Sequence, residues 1–148
     1  MLLKPEKIHL VNYNLISGQI SHVGEDFEKP DGFSLGIKFN SGIYEENNWI
    51  VTEIQVDLQA KKKKKNIAKA RYELRFQFEI ENLRELIEKS DDGAIKVSKA
   101  LGNAIASITY STTRGVLLVR YQGTTFSEYL LPVIDPNRLL EGELILKS

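Results

Sequence analysis

The residue types that most often carry chemistry in proteins are few in this chain, and their spacing does not form a site. His9 and His22 are the only two histidines, and the chain has no cysteine. A metal site at either histidine would need further ligands from scattered carboxylates, and no metal-ligand spacing is visible. The lack of cysteine excludes disulfides, thiolate metal sites and a cysteine nucleophile. We therefore predict no metal site and interpret both histidines as ordinary residues.

Glycines and serines also lack the patterns of a phosphate site or a nucleophilic enzyme. Gly102 and Gly115 do not precede the Lys-Ser or Lys-Thr pair of a phosphate-binding loop. No serine is predicted to stand at a strand-to-helix elbow, where a nucleophile would be exposed. Arg114 could pair with a carboxylate such as Asp135, but a buried pair of this kind would be structural. We therefore expect no catalytic residues, no cofactor and no enzymatic activity.

Five consecutive lysines, Lys61 to Lys65, are the largest concentration of charge in the sequence. These lysines could bind an anionic partner or the acidic segments of a bound polypeptide. They could equally form a solvated hairpin tip or protect a sheet edge from aggregation. We favour this second interpretation, because no aromatic residues are interleaved with the lysines and no other basic cluster lies nearby in the sequence.

Length and composition predict one globular domain that associates with other copies of itself. The chain has 148 residues, of which 42% are hydrophobic and 27% are charged, so it should bury a substantial core. Its 20 basic and 20 acidic residues cancel, which gives no general electrostatic reason to bind nucleic acid or an acidic membrane. Zero net charge also gives weak protection against association, so a defined oligomer is expected.

The sequence does not indicate secretion or membrane insertion. Lys4, Pro5, Glu6 and Lys7 interrupt the apolar start of the chain, so the first residues are not expected to be a signal peptide. No segment approaches the roughly 20 consecutive apolar residues that a membrane-spanning helix needs. Together with the lack of cysteine, these features predict a soluble protein of the cytoplasm.

Four successive segments alternate apolar and polar residues and are predicted to form strands. They cover residues 6–17, with a change of phase that indicates a bulge, 33–39, 49–59 and 72–80, with a loop at 18–32 and a turn at 40–48. Phe76 and Phe78 lie in the most regular alternation and are interpreted as core. Each strand has one polar face, which is typical of an antiparallel sheet open to water on one side. Its apolar face needs a cover.

A long helix over residues 94–121 is predicted to supply that cover. Apolar residues recur there at steps of three and four, and Ser90 to Gly93 offers capping oxygens and negative charge at its start. Gly123 ends the helix, an extended strap follows, and Asp135-Pro136-Asn137 opens a last short helix. The predicted fold class is α+β, a single domain over residues 1–148. In it a four-stranded antiparallel sheet precedes the long helix, the strap and the short C-terminal helix.

The final third of the chain resembles the SecB family of export chaperones, and the rest resembles it in topology. The tail of that family has a pattern of the kind Gly-x-Phe-Pro-x-Leu-x-Leu-x-Pro-Val-x-Phe-x-x-Leu. Residues 123–135 follow this pattern with one insertion after the glycine, and Leu139 or Leu140 matches the final leucine. Tyr110 to Arg114 is similar to the aromatic-plus-arginine signature of the family's long helix.

The resemblance implies a molecular chaperone of the holdase type, which binds unfolded or nascent polypeptides and keeps them soluble. A groove with aromatic and aliphatic walls can accept many unfolded sequences, because apolar burial is nondirectional. Such clients would serve protein export or, as in SecB-like chaperones of antitoxins, toxin control. The candidate groove residues, each of which could instead be ordinary core, are Phe33, Tyr44, Trp49, Phe126, Tyr129 and Leu131.

The resemblance also implies assembly, because the family forms tetramers as pairs of dimers. Small residues on a long helix allow close packing against a second copy, and a two-fold contact is self-complementary. The candidate interface residues, which could also pack on the sheet of their own chain, are Ala104, Ile108, Ser111, Thr112 and Gly115. In the family an acidic sheet face contacts the translocase motor. The matching face carries charges of both signs here, so whether this chain contacts the translocase motor stays open.

A function of a different class is compatible with the same residues. A non-enzymatic adaptor or structural subunit would use the helix face to bind one specific folded partner, and it would ignore unrelated unfolded polypeptides. A small-ligand enzyme built on the sheet is the weakest alternative, since no histidine-carboxylate or nucleophile pattern supports it.

Overall fold

The computed structural model describes residues 3–23 and 29–147, and its central feature is a large antiparallel sheet. In chain order, the strands are β1 Ile8–His22, β2 Gly32–Tyr44, β3 Trp49–Lys62, β4 Lys65–Ile80, β5 Ile87–Lys89, β6 Ile95–Val97 and β7 Glu143–Lys147. A long helix, α1, spans Lys99–Arg120, and short 3₁₀ helices lie at Pro5–Lys7, Glu45–Asn47, Leu83–Leu86 and Pro136–Glu141. The sheet order is β1-β4-β3-β2-β7, and β5 pairs with β6 in a separate hairpin.

The four predicted strands are present, and each is longer than its alternation indicated. β1 continues to His22, so the loop predicted over residues 18–32 begins later; residues 24–28 of it lie outside the described part of the chain. β2 continues to Tyr44, which shortens the turn predicted over residues 40–48. The added residues are mostly polar or glycine, so hydrogen bonding to a neighbouring strand, and not their own β-propensity, holds them extended.

A fifth strand joins the sheet, so the predicted number of four strands is wrong. Glu143–Lys147 forms β7 and pairs antiparallel with β2. Leu144 on this strand is buried, whereas Ile145 is 60% exposed, so the alternation of a half-buried strand is present. It spans too few residues to be distinguished from a loop or a helical turn by periodicity alone.

The start of α1 is also corrected. Ser90–Gly93 does not cap the helix but forms the turn between β5 and β6, where Gly93 adopts a φ of +86°. The residue that caps α1 is Ser98, whose hydroxyl oxygen accepts a hydrogen bond from the N–H of Leu101 at 3.2 Å. The prediction failed because Ile95–Val97 fits both the alternation of a strand and the apolar steps of a helix.

The segment after α1 follows the predicted plan in part: its first residues, 121–128, form consecutive turns and are not extended as predicted, and residues 129–135 have no regular secondary structure. The helix ends at Arg120, and Gly123 adopts a φ of +75°, a conformation that glycine reaches without steric cost. The last short helix forms as the 3₁₀ helix Pro136–Glu141. The Asp135 carboxylate accepts a hydrogen bond from the N–H of Asn137 at 3.0 Å and caps this helix.

The core lies between one face of the sheet and α1. Every second residue of β3 from Ile50 to Ala60, and of β4 from Ala68 to Ile80, is buried on this face. Phe76 and Phe78 are among them, which confirms that they are core. The hydroxyls of Thr52 on β3 and Thr109 on α1 are 2.9 Å apart, and both side chains are completely buried.

α1 is too narrow to cover the whole apolar face. A helix with its side chains is about 10 Å wide, whereas five strands spaced by about 4.8 Å span roughly 19 Å between the outer two. On the side of β2 and β7 the rest of the face is covered by the segment after α1 and the terminal 3₁₀ helix. On the side of β1 the face stays open, with Leu10 43% and Tyr13 38% exposed.

We predict that the buried hydroxyl pair couples α1 to the sheet. Thr52→Val should lower the free energy of unfolding by about 1–3 kcal/mol, because it leaves the Thr109 hydroxyl buried without this partner. The double variant Thr52→Val/Thr109→Val should lose less than the two single variants together, since no hydroxyl is then stranded. Urea unfolding of the four proteins checks this, and additive losses would contradict it.

Candidate functional site

The segment that follows α1 is held against the helix by side chains that bond to its backbone. We call residues 122–135 the strap. The hydroxyl of Tyr110 donates a hydrogen bond to the carbonyl oxygen of Pro132 at 2.6 Å, and Nε of Arg114 donates to the carbonyl oxygen of Leu131 at 3.0 Å. Arg114 therefore fixes the strap as expected, but its partner is the Leu131 backbone and not the carboxylate of Asp135.

A groove of about 350 Å³ lies between α1 and the strap. The residues that line it are Ser111, Arg114, Gly115, Leu118, Tyr129, Leu130 and Leu131. Leu118 is 44% and Leu130 is 64% exposed, so the groove presents aliphatic surface to solvent. Within the described residues, Arg114 forms no ion pair. The groove can therefore accept apolar side chains, with one guanidinium group at its wall.

Tilted aromatic contacts attach Phe126 and Tyr129 of the strap to the sheet and to Tyr121. The ring of Tyr129 lies 4.8 Å from that of Phe33 on β2, and the ring of Phe126 lies 5.6 Å from that of Tyr121. The Tyr121 ring in turn lies 5.9 Å from that of Tyr72 on β4. Burial raises the pKa of Tyr121, and its hydroxyl has no hydrogen-bond partner within the described structure. Apolar packing, and not hydrogen bonding, therefore dominates this cluster.

The structure brings together four of the six predicted groove residues. Phe33, Tyr129, Phe126 and Leu131 all lie where the strap packs on the sheet and α1. Phe126 is 0% and Leu131 is 4% exposed, so Phe126 is a core residue and Leu131 contributes only to the floor of the groove. For Phe126 the interpretation as ordinary core is therefore the correct one.

Tyr44 and Trp49 do not belong to the same surface as the other four residues. They pair directly across the β2–β3 hairpin. Side chains alternate along a strand, and the neighbour Ile50 is buried on the face that α1 covers. Tyr44 and Trp49 therefore lie on the opposite, polar face, which also carries the ion pair between Arg75 and Glu53.

The five predicted interface residues form one stripe along α1. They recur at steps of three and four residues, so they lie on one side of the helix. Ser111 and Gly115 are exposed, and Ala104, Ile108 and Thr112 are partly buried. An alanine-type Cβ built at Gly115 would meet no atom within 4 Å, so the packing of the chain itself does not require glycine there. Their role in an interface stays a prediction.

Sequence analysis missed the open edge of the sheet at β1. This strand pairs with β4 on one side, and its other side has no partner strand among residues 3–23 and 29–147. Leu10, Val11, Tyr13 and Ile16 are each 38–49% exposed along it. Val11 and Ile16 stand at the two register shifts against β4, whereas Leu10 and Tyr13 pair with Phe78 and Phe76 and so lie on the core face. The change of phase in the sequence was the available signal, because it places apolar residues where a regular strand would expose polar ones.

Other chemistry has little support in the described residues. Between residues 3–23 and 29–147, no group of three or more His, Cys, Asp or Glu side chains is placed to hold a metal ion. Ser34 stands in a Gly-x-Ser-x-Gly sequence at residues 32–36, but these residues are continuous β2 strand and not an elbow. In the same part of the chain, no helix is both long and apolar enough to span a membrane.

Comparison with known proteins shows what the fold is similar to. No protein-family model and no curated protein matches the sequence. Among solved structures, the chain is similar to a SecB-like chaperone from Mycobacterium tuberculosis, solved in complex with a ChAD peptide from an antitoxin. The TM-score is 0.57 at 12% sequence identity, and the match covers 87% of this chain and 91% of the other. The comparison supports a distantly SecB-like α+β fold.

We predict that Tyr110→Phe loosens the strap without unfolding the domain. The loss of the hydroxyl that bonds to the Pro132 carbonyl should cost about 1 kcal/mol at pH 8. Burial, opposed in part by Arg114, raises the pKa of Tyr110 to about 12. In the unfolded chain this group ionises near pH 10, so its contribution to stability is complete below pH 10 and lost between about pH 10 and 12.

The measurement is the free energy of unfolding as a function of pH for the wild type and Tyr110→Phe. The variant should lose less stability than the wild type between about pH 10 and 12, because it lacks one group that ionises only on unfolding. Identical losses over this range would contradict the proposed burial of the Tyr110 hydroxyl. Tyr13→Phe, which removes the hydroxyl of a tyrosine that is 38% exposed, is the matched control.

Proposed function

We propose that this protein is a chaperone of the holdase type that binds unfolded or nascent polypeptides in the groove between α1 and the strap. The observation that carries the proposal is the solvent-exposed aliphatic lining of this groove, above all Leu118 and Leu130. A SecB-like fold supports the proposal but does not determine it, since one fold can serve several functions. No catalytic role is assigned to any residue.

The groove suits an extended chain with apolar side chains better than a folded surface. Apart from Ser111 and Arg114, its lining is aliphatic, aromatic or glycine, and apolar contacts do not depend on a defined direction, so different client sequences can fit. The bonds from Tyr110 and Arg114 end on strap carbonyls, so the strap side chains Leu130 and Val133, 64% and 84% exposed, remain free to adapt to a client. Selectivity for sequence should accordingly be low.

Among client classes, we favour soluble polypeptides such as antitoxins over precursors handed to a translocase. The similar SecB-like chaperone was solved with an antitoxin peptide. An acidic sheet face would be expected for contact with the translocase motor. On the polar face here, Asp57 and Glu53 form ion pairs with Arg71 and Arg75. Those carboxylates are thus partly neutralised, and we expect the protein to act in the cytoplasm without this motor.

We further propose that the working form is a homo-oligomer, a dimer or a tetramer. Two surfaces suit a second copy: the open edge of β1, which can accept another strand, and the stripe on α1. Gly115 supports the second surface. Glycine in a helix costs about 1 kcal/mol relative to alanine, and nothing in the chain itself packs against this position. Close approach of another backbone would explain the glycine. Because Gly115 also lines the groove, a second copy that packs here would lie at the edge of the client site.

The alternative is an adaptor that uses the same surfaces for one specific folded partner. The stripe of small residues on α1 and the exposed Leu118 beside it are compatible with an adaptor, because exposed apolar surface also marks protein interfaces. The two functions differ in selectivity. A holdase should bind several unrelated unfolded proteins, whereas an adaptor should bind none of them.

We predict that Leu130→Asp weakens client binding, because it places a charge in the apolar wall of the groove. Loss of the buried leucine contact and desolvation of the carboxylate should reduce affinity about tenfold or more. The measurement is suppression of aggregation of two unrelated, chemically unfolded test proteins. Tyr44→Asp is the matched control: it also adds one carboxylate at an exposed apolar residue, but on the opposite face of the sheet.

The expected result is weak suppression by Leu130→Asp and normal suppression by Tyr44→Asp. Equal activity of both variants and the wild type would remove the groove assignment. Loss of activity in Tyr44→Asp alone would place the client surface on the polar face instead. If the wild type suppresses no aggregation, the adaptor is the better proposal.

We predict that the oligomer depends on the small side chain at Gly115. Gly115→Ala should stabilise the helix by up to about 1 kcal/mol but weaken the oligomer, because its Cβ would stand where the second backbone approaches. Gly115→Gln is also a good helix former, but its longer side chain should block close approach and release smaller species. Light scattering of the protein without client reports the mass as a multiple of 16.8 kDa. A wild-type monomer, or an unchanged mass for Gly115→Gln, would contradict the prediction.

A further inference from the structure

The five lysines occupy the turn between two central strands of the sheet. β3 ends at Lys62 and β4 begins at Lys65, so Lys63 and Lys64 alone form the loop. Both adopt positive φ angles, +50° and +65°, which is the geometry of a type I′ turn. We call Lys61–Lys65 the lysine turn. The prediction of a hairpin tip is confirmed, but protection of a sheet edge does not explain it, because β3 and β4 are interior strands.

The fold gives no reason for lysine at these positions. A type I′ turn favours Asn-Gly, because most other residues are strained in the left-handed region. Lys62 and Lys65 also pair directly across the hairpin, which sets two like charges side by side. The identity of these residues therefore works against the stability of the turn, and strain of this kind is often retained for function.

The charges of the lysine turn are not neutralised within the described structure. No ion pair there involves residues 61–65, although exposed pairs form elsewhere, as between Lys89 and Glu45. A carboxylate does bond to the turn, but to its backbone: Asp31 accepts a hydrogen bond from the N–H of Lys63 at 2.9 Å. Asp31 thus holds the turn's backbone, and within residues 3–23 and 29–147 none of the five ammonium groups is engaged in an ion pair, so an outside acidic group can bind them.

The lysine turn lies beside a second cleft under the strap. This cleft has a volume of about 290 Å³ and is lined by Lys29, Pro30, Phe33, Gly123, Thr124, Thr125, Ser127 and Glu128. Gly32, next to Phe33, pairs with Lys61 across the β2–β3 ladder. Asp31, which binds the turn, immediately precedes Gly32. An aromatic wall and the cationic turn are therefore neighbours at one end of the sheet.

We propose that the lysine turn binds an acidic segment of a polypeptide client, while an adjacent apolar residue of that client lies against Phe33 in the cleft. The proposal rests on the holdase function and adds a charge preference to it. At about 3.3 Å per extended residue, acidic residues three to five positions from the apolar one would reach the lysines. Clients with such acidic segments should be selected over equally apolar neutral ones.

An acidic polypeptide fits these observations better than a nucleic acid or an anionic membrane. The chain has equal numbers of acidic and basic residues, so no long-range positive field attracts a polyanion. The lysine turn carries no aromatic side chain on which a base could stack, a common feature of single-strand binding. A short cluster next to an apolar cleft matches a short charged segment next to an apolar residue.

Three fluorescent peptides with the same apolar segment, flanked by four aspartates, four serines or four lysines, test the proposal. Binding is measured by anisotropy at low and at physiological salt. The variant Lys63→Asn/Lys64→Gly removes two charges. It should also relieve the backbone strain of the turn, so its melting temperature should rise. Lys96→Gln/Lys99→Gln removes two exposed lysines far along the chain from the turn and is the matched control.

For the wild type and the control, the aspartate peptide should bind about three- to tenfold more tightly than the serine peptide at low salt, as expected for a few exposed charge pairs. Lys63→Asn/Lys64→Gly should abolish that advantage and leave the serine peptide unchanged. Equal binding of the aspartate and serine peptides overturns the charge preference while the holdase function stands. Binding of none of the peptides contradicts the holdase function itself.

The same variants are mixed with single-stranded RNA and with anionic vesicles to test the other polyanions. Capture of either one by the wild type, lost in Lys63→Asn/Lys64→Gly while the peptides bind as before, would overturn the proposal in favour of that partner. If the variants and the wild type bind every anion equally, the lysine turn is a solvated hairpin tip and the proposal is wrong.

Discussion

A helix about 10 Å across lies on a sheet about twice as wide, and the remaining apolar face has to be covered by something else. On the side of β2 and β7 the chain covers it with the strap and the terminal 3₁₀ helix. On the side of β1 nothing in the described chain covers it, so Tyr13 stacks on Phe76 yet stays 38% exposed. The same mismatch in width therefore produces both the groove beside the strap and the open edge at β1.

The strap can border a groove because its attachment does not use up its side chains. Tyr110 and Arg114 bond to backbone carbonyls, and aromatic contacts fix two of the strap's side chains. Bonds to the backbone place few demands on strap sequence, so Leu130 and Val133 can point to solvent.

The sequence predicted what depends on long periodic patterns. β3 and β4 and the body of α1 follow from alternation or helical steps over nine or more residues. β7 is too short for such a pattern, and the start of α1 failed because Ile95–Val97 fits two periods at once. The alternation from Ile50 to Leu58 already indicated which face of β3 is buried, and Trp49 falls on the other face. Trp49 became a groove candidate because of its aromatic side chain, without regard to that face. The burial of Phe126 depends on tertiary packing against Tyr121, and no local pattern encodes that contact.

The size of the groove connects client binding to assembly. A groove of about 350 Å³ can hold only a few side chains, and contact areas below about 1,200 Å² usually give weak or transient binding. One subunit would therefore release an unfolded chain quickly. Several grooves that hold different segments of one client raise the effective concentration of the next segment and so the overall affinity. For the proposed holdase, the open edge of β1 and the small residues of α1 would therefore matter to client binding, because a single groove of this size would hold a client only briefly.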